Sequence, residues 1–187
     1  SSFIRNDGKG KFTISPLPSQ AQVSALNGIT AEDFNGDGNL DLVINGNDYG
    51  TEVSVGRYDA LNGLFLKGNG KGGFEAATIL QSGIFIPGNG KALIKLRSKY
   101  GNCLLAASQN RGDLKIFQLK RAINLVPVLF GDISAVIKYK NGKLRREEIY
   151  YGSSFLSQSA RFLNIDDNIS SIQLTNYKGK SRNLQIK

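Results

Sequence analysis

Five oxygen-bearing side chains stand at alternate positions in DFNGDGNLDLVI: Asp33, Asn35, Asp37, Asn39 and Asp41. Three of them are carboxylates, which repel one another unless a positive charge lies among them. Alternate side chains can converge on one point where the chain bends sharply, and Gly38 permits that bend. This is the chemistry of a hard-cation loop. Ca²⁺ takes about six to eight oxygens at about 2.3–2.6 Å, and the Asn39 carbonyl could supply one of them. Mg²⁺ suits the pattern less well, because it demands tighter octahedral geometry and gives up its waters reluctantly. An EF-hand is excluded, since its twelfth position is a bidentate Glu and here it is Ile44. Leu40, Leu42 and Ile44 alternate, so the loop runs into a strand. The plain alternative is an Asx-rich turn without metal.

Other chemistries find few residues to use. The chain has no His and one Cys, Cys103, so zinc sites, His-based triads and an intrachain disulfide are all excluded. Gly68 to Gly73 spells GNGKGG, but neither a βαβ frame nor an amphipathic helix surrounds it, and it reads as a repeat turn. Ser153, Ser154, Ser157 and Ser159 have no activating base and read as a hydroxyl-rich strand end. Glu147 and Glu148 would face opposite sides of a strand, so they do not form a pair for glycoside hydrolysis. Asn168-Ile169-Ser170 is a glycosylation sequon. An enzyme is not expected.

The net charge of +9 hides a segregation. Seven acids face one base, Arg57, between Glu32 and Asp59, whereas eight bases face Asp113 alone between Lys91 and Arg121. Lys91, Lys95, Arg97, Lys99, Arg111 and Lys115 therefore form a candidate stripe for a polyanion, an acidic glycan or nucleic acid. They alternate with apolar residues, which is equally the pattern of a half-exposed strand.

The elements that must position these groups are short strands. Apolar stretches of strand length alternate with Gly/Asn/Asp clusters along all 187 residues, an all-β pattern. Asn141-Gly142 predicts a two-residue hairpin turn. That turn would put Ala135, Ile137, Tyr139, Leu144 and Tyr150 on one face, with Lys138, Lys140, Lys143 and Arg145 on a solvated one. A repeat is also visible: FIRNDGKGKF (Phe3 to Phe12) recurs as LKGNGKGGF (Leu66 to Phe74), each followed by a strand pair. Aligning Gly38-Asn39 with Gly101-Asn102 puts Leu96, Ser98, Tyr100 and Leu104 where the first copy has its acidic positions. A period near sixty residues with several strands per unit suggests propeller blades. The expected organisation is two repeats, about 1–62 and 63–120, then a small antiparallel β domain over 121–187.

The acidic loop, the F-x-x-x-D/N-G-K-G-x-F segments and the repeat length resemble FG-GAP/VCBS-type propeller repeats, the kind found in integrin α-subunit heads. GSSFLSQSARFLNI (Gly152 to Ile165) is similar to the core of the ASPIC/UnbV domain, which follows such repeats in cartilage-acidic-protein-like and bacterial surface proteins. Two departures stand out. The second repeat lacks the acidic ligands, and the C-terminal part lacks much of the acidic character of such domains. The resemblance implies a secreted or cell-surface calcium-binding module (bacterial outer membrane or secreted) in adhesion or recognition of an extracellular protein or glycan. Asp33, Asn35, Asp37, Asn39 and Asp41 would be its ligands. No apolar run is long enough for a membrane-spanning helix and no signal peptide is visible, so membrane insertion is not expected. The absence of Met predicts a piece of a longer chain.

Overall fold

The computed structural model describes every residue except Ala122, Ser154, Gln185 and Lys187. The chain is all-β: fifteen strands in antiparallel sheets, two very short helices, and no closed barrel among the described residues. β1 (Ser2–Gly8) and β2 (Lys11–Pro16) form a hairpin. A four-stranded meander follows: β3 (Leu26–Glu32), β4 (Asp41–Gly46), β5 (Leu64–Gly68) and β6 (Phe74–Ala77). β7 (Gly90–Arg97), β8 (Cys103–Gln109) and β9 (Gly112–Gln118) form a third sheet.

These three sheets stack, which explains why β4 is buried almost throughout and carries the unbroken apolar run Leu42-Val43-Ile44. Ile44 and Leu66 face the first hairpin, in a core with Leu17, Ala21, Leu61 and Leu64. Val43 faces the opposite way, into a core with Phe34, Ile84, Ile86, Leu93, Leu105 and Ala107. A strand covered on both sides carries a continuous apolar run rather than an alternating one. Two fully buried amides fasten the layers. Asn45 accepts from Gly28 N at 2.8 Å and donates to Ala92 O at 3.0 Å. Asn47 donates to Leu61 O and Gly88 O, each at 2.7 Å.

The sequence repeat is a structural repeat. Each copy opens with a Gly-rich hairpin, passes through a short helix (Ser19–Ala21 or α1, Ile79–Ser82) and continues into a strand pair. GNGKGG is the β5–β6 turn: Asn69 Oδ1 accepts from Lys71 N and Gly73 N, and Gly70 and Gly72 adopt positive φ. The loop between β7 and β8 is shorter than the acidic loop. Glu32 pairs with Asp41 across the first, and Arg97 with Cys103 across the second. Cys103, rather than Leu104, therefore stands in the place of Asp41, and most acidic positions have no counterpart. Burial pushes the Cys103 thiol up to about 11, so it is an inert core residue.

The C-terminal unit packs the pair β10 (Asn124–Pro127) and β13 (Phe162–Ile165) against a four-stranded sheet. That sheet contains β12 (Leu144–Glu148), β11 (Asp132–Tyr139), β14 (Ile169–Asn176) and β15 (Ser181–Leu184) in that order. Ala135, Ile137, Tyr139, Leu163, Ile165, Ile169, Ile172 and Leu174 form its core.

The β11–β12 turn differs from expectation. Tyr139 N donates to Lys143 O and Gly142 N to Tyr139 O, both at 2.9 Å, with Gly142 at φ 84°. This is a three-residue turn ending in a left-handed Gly, not the predicted two-residue one. One extra residue moves the register by one and turns β12 over. Arg145 now lies opposite Ile137 and Glu147 opposite Ala135, on the buried face. Leu144 lies opposite Lys138, outside and 62 % exposed.

Candidate functional site

The acidic loop closes on itself through its own side chains. Asp33 accepts from Gly36 N at 2.7 Å and Gly38 N at 2.9 Å, one bond to each carboxylate oxygen. Gly36 and Gly38 both have positive φ, which brings those N–H groups round to face Asp33. Asn35 Oδ1 accepts from Asp37 N and Asp37 Oδ1 from Asn39 N, at 2.8 and 2.9 Å. Asp41, fully buried at the head of β4, accepts from Phe34 N at 3.2 Å and Gly68 N at 3.0 Å.

Three of the five sequence-predicted residues meet at one point. The Asn35 amide nitrogen lies 3.2 Å from Asp37 Oδ2 and 3.4 Å from Asp41 Oδ1, so an amide and two carboxylates converge. Presenting Oδ1 to the same point takes half a turn of that amide and gives up the bond it accepts from Asp37 N. Asp33 braces the loop backbone instead, and the Asn39 side chain accepts from Lys143. Burial raises the Asp41 pKa and the neighbouring Asp37 charge raises it further, outweighing the N–H groups that favour the carboxylate. Burial also raises Asp33, against hydrogen bonds from Gly36 and Gly38 and the charges of Arg145 and Arg121. Oxygen donors of this kind suit a hard cation. Among the described residues no three His, Cys, Asp or Glu side chains by themselves form a metal-holding group, so the Asn35 amide would be needed.

Sequence reasoning missed the positive charge that surrounds the loop. The C-terminal unit reaches across with Lys143, which donates to Gly38 O at 2.8 Å and to Asn39 Oδ1. Arg121 donates to Asp33 O at 2.7 Å while pairing with Asp166. Arg145 sits 3.5 Å from Asp33 Oδ2, 3.9 Å from Glu32 Oε1 and 2.6 Å from Glu147 Oε1. Lys67, on β5, stands 3.8 Å from Asp37 Oδ2. The signal for Arg145 and Glu147 lay in the turn length, and the Asn141-Gly142 pair alone does not separate two-residue from three-residue turns.

Lys95 belongs to the same buried cluster: its ammonium lies 2.7 Å from Glu32 Oε2. Burial and the charge of Glu32 raise the Glu147 pKa, against the charges of Arg145 and Lys95. Burial opposes ionisation of Glu32 too, but the Lys95 charge and hydrogen bond, with Arg145, hold it below its ordinary value.

The other members of the basic run divide. Arg97 is exposed at the end of β7 and Lys99 lies in the β7–β8 loop with its ammonium over the Tyr100 ring. Lys91 and Arg111 stand at the opposite end of that sheet, where Lys91 reaches Asn47 O at 3.4 Å. Lys115 is 3.9 Å from Asp113 Oδ2. The run in sequence is therefore not one run in space.

Of the serines, Ser153 Oγ accepts from Ser159 N and Ser159 Oγ from Lys95 N, which ties the two units together; Ser154 lies outside the described residues. Glu148 faces away from Glu147 and pairs with Arg146 at 2.8 Å. Among the described residues no helix is long and apolar enough to cross a membrane. The fold and loop define an all-β chain with a charge-compensated acidic turn that buries Asp33 and Asp41 and leaves Asn35 and Asp37 at the surface. In comparison with known proteins, the chain matches no family model and no curated sequence.

Proposed function

We propose that this chain is a non-enzymatic β module stabilised by Ca²⁺ at the Asp33–Asp41 loop, working in adhesion or ligand recognition at a cell surface or outside cells. The observation that carries this reading is the convergence of the exposed Asn35 amide and Asp37 carboxylate with the buried Asp41 carboxylate at the head of β4. In this reading Asn35, Asp37 and Asp41 hold the ion, Asp33 pins the loop, and Asn39 offers its carbonyl. A cation there would favour the ionised form of Asp41, which burial and Asp37 disfavour. It would also lock the loop that sets β4 between β3 and β5. The stacked four-stranded meander supports the FG-GAP/VCBS-type blade reading, with the C-terminal unit as an ASPIC/UnbV-like domain. Because one loop supplies all the ligands, the ion is structural, and a weak site of about 10⁻⁴–10⁻³ M suits extracellular calcium.

Thermal unfolding in chelator and in excess Ca²⁺, with Asp37→Ala as control, tests the reading. Saturation about a hundredfold over the dissociation constant adds about 2.7 kcal/mol to the native state. The melting temperature should rise with Ca²⁺ in the wild type and stay flat in the variant. An unchanged wild type would leave the loop as turn chemistry alone.

A further inference from the structure

Around the start of β11, at the opposite end of that strand from Tyr139 and the acidic loop, parts of three connections meet whose chemistry the calcium reading does not use. They are Val128–Gly131 before β11, Ile149–Arg161 after β12, and the turn Tyr177–Lys180 between β14 and β15. Together they contain three bases, Arg161, Lys178 and Lys180, and no acid. They also display large apolar groups: Leu129 is 63 % exposed, Phe130 84 % and Tyr177 66 %, with Tyr151 beside Phe130. The Phe130 and Tyr151 rings lie 5.5 Å apart, and Tyr177 N donates to Gly131 O at 3.0 Å, so the first and last connections adjoin.

What distinguishes this patch is the state of its backbone. Arg161 spends its guanidinium inward, donating to Phe130 O at 2.9 Å, Leu129 O at 3.3 Å, Tyr151 Oη at 2.6 Å and Asp132 O. Tyr151 Oη donates to Phe130 O at 2.8 Å, and Leu129 N donates to Asp132 Oδ2 at 2.7 Å. A loop tip whose polar groups are bonded within the protein can leave water at little cost, whereas free carbonyls would hold it there.

We propose that this end rests on an anionic lipid surface, with Leu129, Phe130 and Tyr177 in the headgroup–acyl boundary and Lys178 and Lys180 on lipid phosphates and carboxylates. Amphipathic aromatic rings and lysines at their rim are the groups that settle at that boundary. A glycan would call for outward directional donors, and the one guanidinium here is committed to carbonyls. The contact is peripheral, since it involves loop tips and not a spanning element.

The chain has no Trp, so a single one reports its own surroundings. Phe130→Trp is compared with Leu114→Trp, an exposed apolar position on β9 outside the patch, using phosphatidylcholine vesicles with and without phosphatidylserine. Chelator is present throughout, so that no metal bridges the acidic loop to lipid. The proposal expects a blue shift and quenching by brominated lipid for Phe130→Trp on anionic vesicles, and neither for Leu114→Trp. Adding Lys178→Glu and Lys180→Glu should weaken vesicle partitioning by about tenfold or more. Equal responses at both positions would overturn it, because the net charge of +9 would then be adsorbing the protein without orientation. No response at Phe130→Trp would overturn it as well and turn the search toward a protein or glycan partner.

Discussion

Asp41 has no exposure to water and stands beside Asp37, and both facts favour its neutral form. A group whose pKa is higher folded than unfolded stabilises the fold at low pH, and that contribution is lost as pH rises through the folded value. In chelator, stability should therefore fall as pH climbs from the ordinary carboxylate value of 3.8 through the raised range of Asp41. Calcium should abolish that part of the fall, and Asp41→Asn should lose both that part and its calcium response, keeping the share that Asp33 and Glu147 supply; urea midpoints across the acidic range read both. Arg145 makes the opposite point. It compensates Glu32, Asp33 and Glu147 from a nearly dry position, so removing it strands charge in the interior. Arg145→Met should cost about 3–5 kcal/mol near neutral pH in urea unfolding. The loss should shrink in acid, where Glu147, already biased toward its proton, becomes neutral.

At the scale of elements, the buried amides bind layers that apolar contacts alone would let slide. Asn45→Ala removes the partner of Gly28 N and of Ala92 O together. Each buried polar group left unpaired costs about 1–3 kcal/mol, so a loss of about 2 kcal/mol or more is expected by denaturant titration. Gly38→Ala tests backbone shape instead: at φ 79° a methyl group is strained, and about 1 kcal/mol should be lost even in chelator. The strands and the repeat were legible in the sequence because period-2 apolar spacing and Gly/Asn turns act locally. Asp33, Asn35, Asp37 and Asp41 were legible for the same reason, being one loop. The α1 helix could have been found from Thr78 and Gln81, which form a reciprocal capping box. Lys143, Arg145 and Arg121 could not, because nothing local says that a distant hairpin will lie against the loop. Nor does position along the chain reveal that Lys95 turns inward among basic neighbours that stay outside.

For the whole molecule, the acidic loop is also a joint. Lys143, Arg145 and Arg121 all lead from the C-terminal unit to residues 32–39, and Ala160 N adds a backbone bond to Lys95 O at 2.8 Å. Anything that orders the loop should therefore steady the hairpin that leans on it. Amide hydrogen exchange across Tyr139–Glu147 should slow when Ca²⁺ is added, although none of those residues is a proposed ligand. Uniform slowing over β14 and β15 as well would mean global stabilisation, while slowing confined to the hairpin would trace the joint.

The three-residue turn at Lys140–Gly142 gives this protein an unusual sensitivity to chain length. Surface turns ordinarily tolerate insertions and deletions, because only solvent notices. Here a single deleted residue would rotate β12 by half a turn, bring Leu144 inward and expel Arg145 and Glu147 into water. The isolated hairpin would keep its pairing, but the grip on the acidic loop would be lost. Turn length thus acts as a reading frame for the contact between the two units, and lineages carrying this contact should vary the turn in composition but not in count.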